Sequence, residues 1–263
     1  MARPRLISTL VLFFAGALAP TFAMAQDASP ACTAPNEFVR LTQPLARTAK
    51  QLAGSDHLTI VAIGSSSTAG AGASSPAASY PSRLAVELTR LLPGHSFDVL
   101  NRGVNGEEAR DMLARFDESV IKPKPDLVLW QVGTNSVLRD HPVAPASLLI
   151  REGVRQIKEI GADVVLVDPQ YAPRVLAKPN IDEMVELISA SAKEVNVDVF
   201  QRFAVMRHWR ETMQIPFSAF LSPDELHMND WSYACVAKLI GASIAEAATR
   251  GLATAKAAPR ATP

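Results

Sequence analysis

Five short apolar runs, separated by amphipathic stretches, constrain the fold of this chain more than any other feature. They are Leu58–Ile63, Phe97–Leu100, Asp126–Val132, Asp163–Val167 and Val197–Phe200. The runs are apolar at consecutive positions rather than alternating, the pattern of strands covered on both faces of a parallel sheet. Between them apolar residues recur at helical spacing, as in Tyr80, Leu84, Leu88 and Leu91, then Ile150, Val154 and Ile157, then Ile181, Met184, Val185, Ile188 and Val195. Asn180 and Glu183 stand as a capping box ahead of the third stripe, and Gly161 sits where a helix would stop. Strand–helix alternation of this kind predicts one doubly wound α/β domain. At 263 residues the chain is within reach of a single core. The domain is placed at residues 51–251, after an irregular N-terminal arm (26–50) and before a frayed tail (252–263) rich in Ala, Pro and Thr.

In such a sheet ligands bind beyond the carboxyl ends of the strands, so the chemistry is sought in the residues that follow each run. After the first comes Gly64-Ser65-Ser66-Ser67-Thr68-Ala69-Gly70. This is either a tight strand-to-helix turn exposing one hydroxyl beside backbone N–H groups, or a flexible small-residue loop. It is not the G-x-S-x-G elbow, because Thr68 stands where the second glycine belongs. After the second run comes Asn101-Arg102-Gly103-Val104-Asn105-Gly106, an ordinary turn or a place where glycine brings its N–H close to a ligand. After the third comes Gly133-Thr134-Asn135-Ser136, whose asparagine is a side-chain amide donor or a helix cap. Near the C-terminus, Asp224-Glu225-Leu226-His227 precedes a helix beginning near Asn229 or Asp230. Its spacing suits a carboxylate holding one ring nitrogen of the histidine while the other faces outward, and equally a surface turn.

Serine, glycine, asparagine and a late Asp-x-x-His, in that order and each after a strand, resemble the four blocks of the SGNH (GDSL) hydrolase family. The resemblance spans about residues 58–240 and implies a flavodoxin-like three-layer α/β/α sandwich with a five-stranded parallel sheet. It implies Ser66 as nucleophile, His227 as base and Asp224 as the acid that orients it. The Ser66 and Gly106 N–H groups and the Asn135 amide would form the oxyanion hole. The reaction it implies is ester hydrolysis through an acyl-enzyme, with no metal or organic cofactor. Two positions depart from the family pattern: Ser65 replaces the usual aspartate of the first block, leaving the support of that turn open, and Ser136 replaces the aspartate that often follows the asparagine. Acid and histidine three residues apart in one loop also argue against the α/β-hydrolase fold, where they normally come from separate loops.

The first 25 residues read as a secretory signal peptide: Arg3 and Arg5, an apolar stretch from Leu10 to Leu18, and Ala23-Met24-Ala25 as the cleavage pattern. No other segment approaches ~18 continuous apolar residues, so no stable membrane span is expected in the mature, secreted or periplasmic protein. The whole chain carries 26 basic and 26 acidic residues, and removing the leader with its two arginines leaves a net charge of −2. Nucleic-acid binding therefore has no electrostatic support. In an oxidising compartment the only two cysteines, Cys32 and Cys235, are expected to pair. No H-x-x-x-H spacing joins the scattered histidines, so no metal site is expected. Trp130 and Trp231 read as packing residues, Tyr171 and Arg174 as lining of the cleft or a plain surface loop, and Arg207–Leu221 as a mobile flap able to cover it. The favoured function is an exported esterase acting on small acyl esters, acetyl groups on a polysaccharide above all. The alternatives are an O-acetyltransferase using the same acyl-enzyme and a non-catalytic carbohydrate-binding module.

Overall fold

The protein, seen in a computed structural model, is described over residues 29–257. The expected leader and residues 258–263 of the expected tail lie outside the described residues. In chain order the elements are α1 (Asn36–Val39), α2 (Ala46–Gly54), β1 (His57–Gly64), α3 (Ser66–Ala69), α4 (Tyr80–Leu91), β2 (Ser96–Gly103), α5 (Ala109–Ala114), β3 (Leu127–Gln131), α6 (Thr134–Leu138), α7 (Pro145–Glu159), β4 (Asp163–Val167), α8 (Pro173–Leu176), α9 (Ile181–Glu194), β5 (Asp198–Phe200), α10 (Arg202–Arg207), α11 (Phe217–Phe220) and α12 (Asp230–Ala257).

The five strands form one sheet in the order β2-β1-β3-β4-β5, and every neighbouring pair is parallel. This is the doubly wound α/β domain expected from the apolar runs and the five-stranded three-layer sandwich implied by the resemblance. Helices α4 and α2 pack with α12, whereas α5 and α9 pack with α7, so two helical layers cover the sheet. The central strands are the apolar ones: β3 is buried throughout, and Ile60 to Ile63 of β1 have no exposed surface. Trp130 of β3 is wholly buried, edge-on to Phe116 at 5.1 Å. The helical stripes face inward as expected, with Leu84, Leu88, Val154, Ile157, Met184 and Ile188 fully buried.

Four local expectations are corrected. Strand β2 lies at the sheet edge, and its alternating positions are exposed, so it is not covered on both faces. No side chain caps α9 at Asn180, whose Nδ2 donates instead to the His141 carbonyl at 3.4 Å; a reciprocal box forms at α5, where the Asp111 carboxylate accepts the Glu108 N–H at 2.9 Å. The arm expected to be irregular carries α1 and α2, and residue 51 falls inside α2. At the other end, α12 carries residues 252–257 of the expected frayed tail.

The arm is tied to the amino ends of the strands. Asp163 accepts the N–H groups of Arg47 and Thr48, and Asp126 accepts Arg47 Nε and the Thr59 N–H. Cys32 and Cys235 are joined by a disulfide that fastens the arm to α12. The carboxyl ends of the strands are left to the loops that carry the chemistry.

Candidate active site

Ser66 opens α3 directly after β1, on a turn whose backbone is held by a side chain from the neighbouring strand. Gln131, the last residue of β3, accepts both the Ser65 N–H and the Ser65 hydroxyl through Oε1 at 2.9 Å. This supplies the support that the missing aspartate at position 65 left open. The approach demands glycine at 64: a Cβ there would stand 2.2 Å from Thr68 Oγ1 and 2.9 Å from Gln131. The turn also leans on the second loop, since the Gly64 carbonyl accepts the Val104 N–H at 3.0 Å.

The Asp224–His227 loop is closed from both ends. Leu221 and Met228 form an antiparallel bridge, and the Ser222 N–H donates to the His227 carbonyl at 2.8 Å. Within it Asp224 Oδ1 accepts the Ser222 hydroxyl at 2.6 Å and the N–H groups of Leu226 and His227 at 3.1 and 2.9 Å. Asp224 Oδ2 lies 2.5 Å from His227 Nδ1, and His227 Nε2 lies 2.8 Å from Ser66 Oγ. Partial burial alone would raise the Asp224 carboxyl, but bonds from Ser222, His227 and Leu226 outweigh it and hold the group well below the usual carboxylate range. Asp224 is thus ionised against the ring nitrogen, which fixes the tautomer with its proton on Nδ1 and leaves Nε2 to accept from Ser66.

The glycine and asparagine loops are joined to each other. Gly106 has φ +81°, a conformation glycine adopts without strain. Asn135, in α6, donates one amide hydrogen to the Glu107 carbonyl at 2.8 Å, which fixes the amide and leaves its second hydrogen to point elsewhere. Arg139 binds the Gly106 carbonyl at 2.7 Å and the Glu108 carboxylate at 2.6 Å, and Glu108 also takes the Ser136 hydroxyl at 2.8 Å and lies 3.1 Å from His141 Nδ1. Burial would raise Glu108, but His141, Arg139 and Ser136 lower it, so it is an anion clamping the two loops together. The carboxylate absent from position 136 is therefore supplied by position 108.

The structure brings Ser66, Asp224 and His227 into one hydrogen-bonded chain and joins the Gly106 and Asn135 loops to each other. Tyr171 and Arg174 stand apart from that chain. Tyr171 packs edge-on to Phe203 and stacks on Phe217, and its hydroxyl donates to Glu211 at 2.5 Å. Burial and that bond raise its phenol to about 12. The exposed Arg174 meets the histidine loop through its backbone N–H, 3.3 Å from the Glu225 carbonyl. The segment Arg207–Leu221 is anchored rather than loose, because Trp209, Ile215 and Phe220 are buried and Trp209 Nε1 donates to the Thr33 carbonyl. Trp231 packs edge-on to Trp209 at 5.0 Å. A cavity of about 490 Å³ lies beside the histidine loop, lined by Gly72, Phe217, Leu221, Ser222, Glu225 and Asn229 among others. Another of about 410 Å³ lies beside the asparagine loop, under Glu108, Ser136 and His141.

Sequence reasoning missed Gln131, Glu108 and Ser222. The first left a signal: a glutamine closing an apolar run destined for the sheet interior must find a buried polar partner. The other two are turn residues whose partners depend on the fold.

A 2-1-3-4-5 parallel sheet bearing serine, glycine, asparagine and Asp-x-x-His loops at its carboxyl edge is the architecture of the SGNH-type hydrolases. The chain belongs to the non-GDSL lipase-like family, which it matches over residues 31–250. Among curated relatives, an acetylxylan esterase of Geobacillus stearothermophilus is 26% identical over 156 residues, covering 53% of this chain and 68% of the relative. An arylesterase of Vibrio mimicus is 33% identical over 100 residues, covering 36% and 49%. Among solved structures, a two-domain esterase active on acetylated mannans shares the fold with a TM-score of 0.67 at 20% identity, over 84% of this chain and 57% of that one. The chain thus spans about two thirds of one curated relative and about half of the other. Among the described residues no helix is long and apolar enough to cross a membrane.

Proposed function

We propose that the protein is a serine esterase that removes small acyl groups, acetyl above all, from a polysaccharide or small-molecule alcohol. The observation that carries this reading is the unbroken chain Asp224 Oδ2–His227 Nδ1, His227 Nε2–Ser66 Oγ at 2.5 and 2.8 Å. His227 takes the hydroxyl proton as Ser66 Oγ attacks the ester carbonyl, and Asp224 stabilises the imidazolium that results. The Ser66 and Gly106 N–H groups and the second Asn135 amide hydrogen face the developing oxyanion, each such donor contributing ~2.7–4 kcal/mol in the transition state. His227 returns the proton to the leaving alcohol, and water then releases the acid from the acyl-enzyme. The cavity beside the histidine loop, bordered by Phe217 and Glu225, receives the ester beyond the scissile bond, with Tyr171 stacked on Phe217 and the Arg174 N–H on the Glu225 carbonyl. Two acetyl-ester-active proteins among the relatives support the substrate class, and the Cys32–Cys235 bond supports action outside the reducing cytosol.

Hydrolysis of p-nitrophenyl acetate by the wild type and by Ser66→Ala tests the reading. Wild-type turnover with loss of at least about 10³-fold in the variant is expected. Equal rates would remove Ser66 as nucleophile. Acetylated xylan and mannan, each with and without an added sugar acceptor, then define the alcohol. Acetyl appearing on the acceptor in place of free acetate would make the enzyme a transferase.

A further inference from the structure

We propose that Gln170, in the loop after β4, is the positioning residue that holds the serine, asparagine and histidine loops in one register; the inference rests on the esterase reading above. It is 1% exposed, and its side chain bonds to the immediate neighbours of Ser66, Asn135 and His227. Oε1 accepts the hydroxyls of Ser67, next to Ser66, at 3.3 Å and of Thr134, next to Asn135, at 3.0 Å. Nε2 donates to the carbonyl of Leu226, next to His227, at 3.3 Å. A single amide group therefore reaches three loops whose contacting residues lie 36 to 103 positions from it in sequence.

The amide cannot turn over, because Arg202 fixes its direction. Arg202, at the start of α10, has no exposed surface, donates Nε to the Asp168 carbonyl at 3.0 Å, and donates Nη2 to Gln170 Oε1 at 3.1 Å. A guanidinium only donates, so the oxygen of Gln170 must face it and the NH₂ group must face Leu226. The buried Asp168 carboxyl acts on the Arg202 charge without pairing directly with it, and Arg202 Nη1 is buried without a hydrogen-bond partner. A charged donor in a buried site strengthens the hydrogen bond to the neutral oxygen it meets. Gln131 extends the brace: its Nε2 lies 3.5 Å from Thr134 Oγ1 while its Oε1 holds the serine turn. Turning the amide over would break all these contacts at once, which is why three separate loops keep one spacing around Ser66 Oγ and His227 Nε2.

The test uses the full chain, Gln170→Leu, Gln170→Glu and Ser66→Ala, with kcat of the wild type and the Gln170 variants expressed per active site titrated by a fluorophosphonate, so that misfolded protein does not count, and the rate of Ser66→Ala expressed per mole of folded protein. Gln170→Leu removes every contact and is expected to lower kcat on p-nitrophenyl acetate about 10²-fold, with KM within about threefold of wild type. Gln170→Glu keeps the oxygen that Ser67, Thr134 and Arg202 need but sets a second oxygen against the Leu226 carbonyl. It is expected to lose about tenfold in kcat. A residue that only stabilises the fold would lower Tm and the titrated fraction and leave kcat per site unchanged. A folded Gln170→Glu within about threefold of wild type in kcat per site overturns the inference. Should that variant not fold, Ser67→Ala decides, with about a fivefold loss supporting the inference and a wild-type rate overturning it. Activity surviving in Ser66→Ala overturns the esterase reading itself, whereas an inactive Ser66→Ala beside fully active Gln170 variants overturns only the role of Gln170.

Discussion

Replacing Asp224 by asparagine separates the orientation of His227 from its placement. Three donors converge on Asp224 Oδ1: the Ser222 hydroxyl and the N–H groups of Leu226 and His227. An asparagine oxygen can take all three, so its NH₂ group must fall on the Oδ2 side, where His227 Nδ1 lies 2.5 Å away. That ring nitrogen then has to accept, and the imidazole proton moves to Nε2. There it points at Ser66 Oγ as a donor, with the 2.8 Å spacing preserved and the base gone. A wrong tautomer in intact geometry costs about 10⁴-fold in kcat/KM, or about 5.5 kcal/mol of transition-state stabilisation. The cost in stability is far smaller. The carboxylate side chain is 41% exposed, so trading charge-assisted for neutral bonds should remove only about 1 kcal/mol and lower Tm by about 2–4 °C. Steady-state kinetics with p-nitrophenyl acetate and a thermal melt by circular dichroism measure both. Because Asp224 is held below the usual carboxylate range, the wild type should show no loss of activity from its protonation between pH 5 and 8. An Asp224→Asn enzyme within about tenfold of wild type, beside an inactive Ser66→Ala, would refute the tautomer argument.

Asn135→Ala should lower kcat by about 10²–10³-fold, measured on the same ester, because it removes the proposed oxyanion donor together with the tether to the Glu107 carbonyl. Reduction of the Cys32–Cys235 bond, or the Cys32→Ala/Cys235→Ala double variant, should lower the urea midpoint. The 203-residue separation sets a chain-entropy ceiling of about 5 kcal/mol, and an unchanged midpoint would show that the bond constrains nothing in the unfolded chain. Asp168 makes the fold sensitive to pH. Burial raises its carboxyl to about 7 against the Phe203 N–H and the Arg202 charge, whereas in the unfolded chain it titrates near ~3.9. The folded state thus holds a proton that the unfolded state has released. The resulting contribution to stability is full below about pH 4 and is lost as pH rises toward 7. Urea melts at pH 5 and 8 should differ less in Asp168→Asn than in the wild type, and parallel differences would remove Asp168 as the source.

The parts of the fold that were legible in the sequence are those set by local pattern. Run Asp163–Val167 matches β4 end to end, and the central runs differ from their strands by a residue or two at the ends. Val197–Phe200 starts one residue early, and Phe97–Leu100 is short because an edge strand needs no continuous apolar signal. Ser66, Asp224 and His227, which the structure joins in one hydrogen-bonded chain, could be singled out because the roles proposed for them demand particular residue types after particular strands. The support around them was not legible. Gln131, Gln170 and Arg202 take their meaning from partners tens of residues away, and only the folded sheet makes those partners neighbours. Asn180 shows the converse: a local capping pattern lost to a tertiary contact with the His141 carbonyl.

The two outer strands of the sheet also bear on how copies of this protein meet. On β2, Asp98 and Arg102 project into solvent. Strand β5 spans three residues, and the Asp198 carboxylate at its start accepts the Thr42 hydroxyl and the Gln43 N–H, so the arm lies against that margin. Charge at one rim and brevity under a cover at the other both discourage a foreign strand from adding to the ladder. Self-association by sheet extension is therefore disfavoured at either side, and concentrated solutions should resist the cross-β route to aggregation.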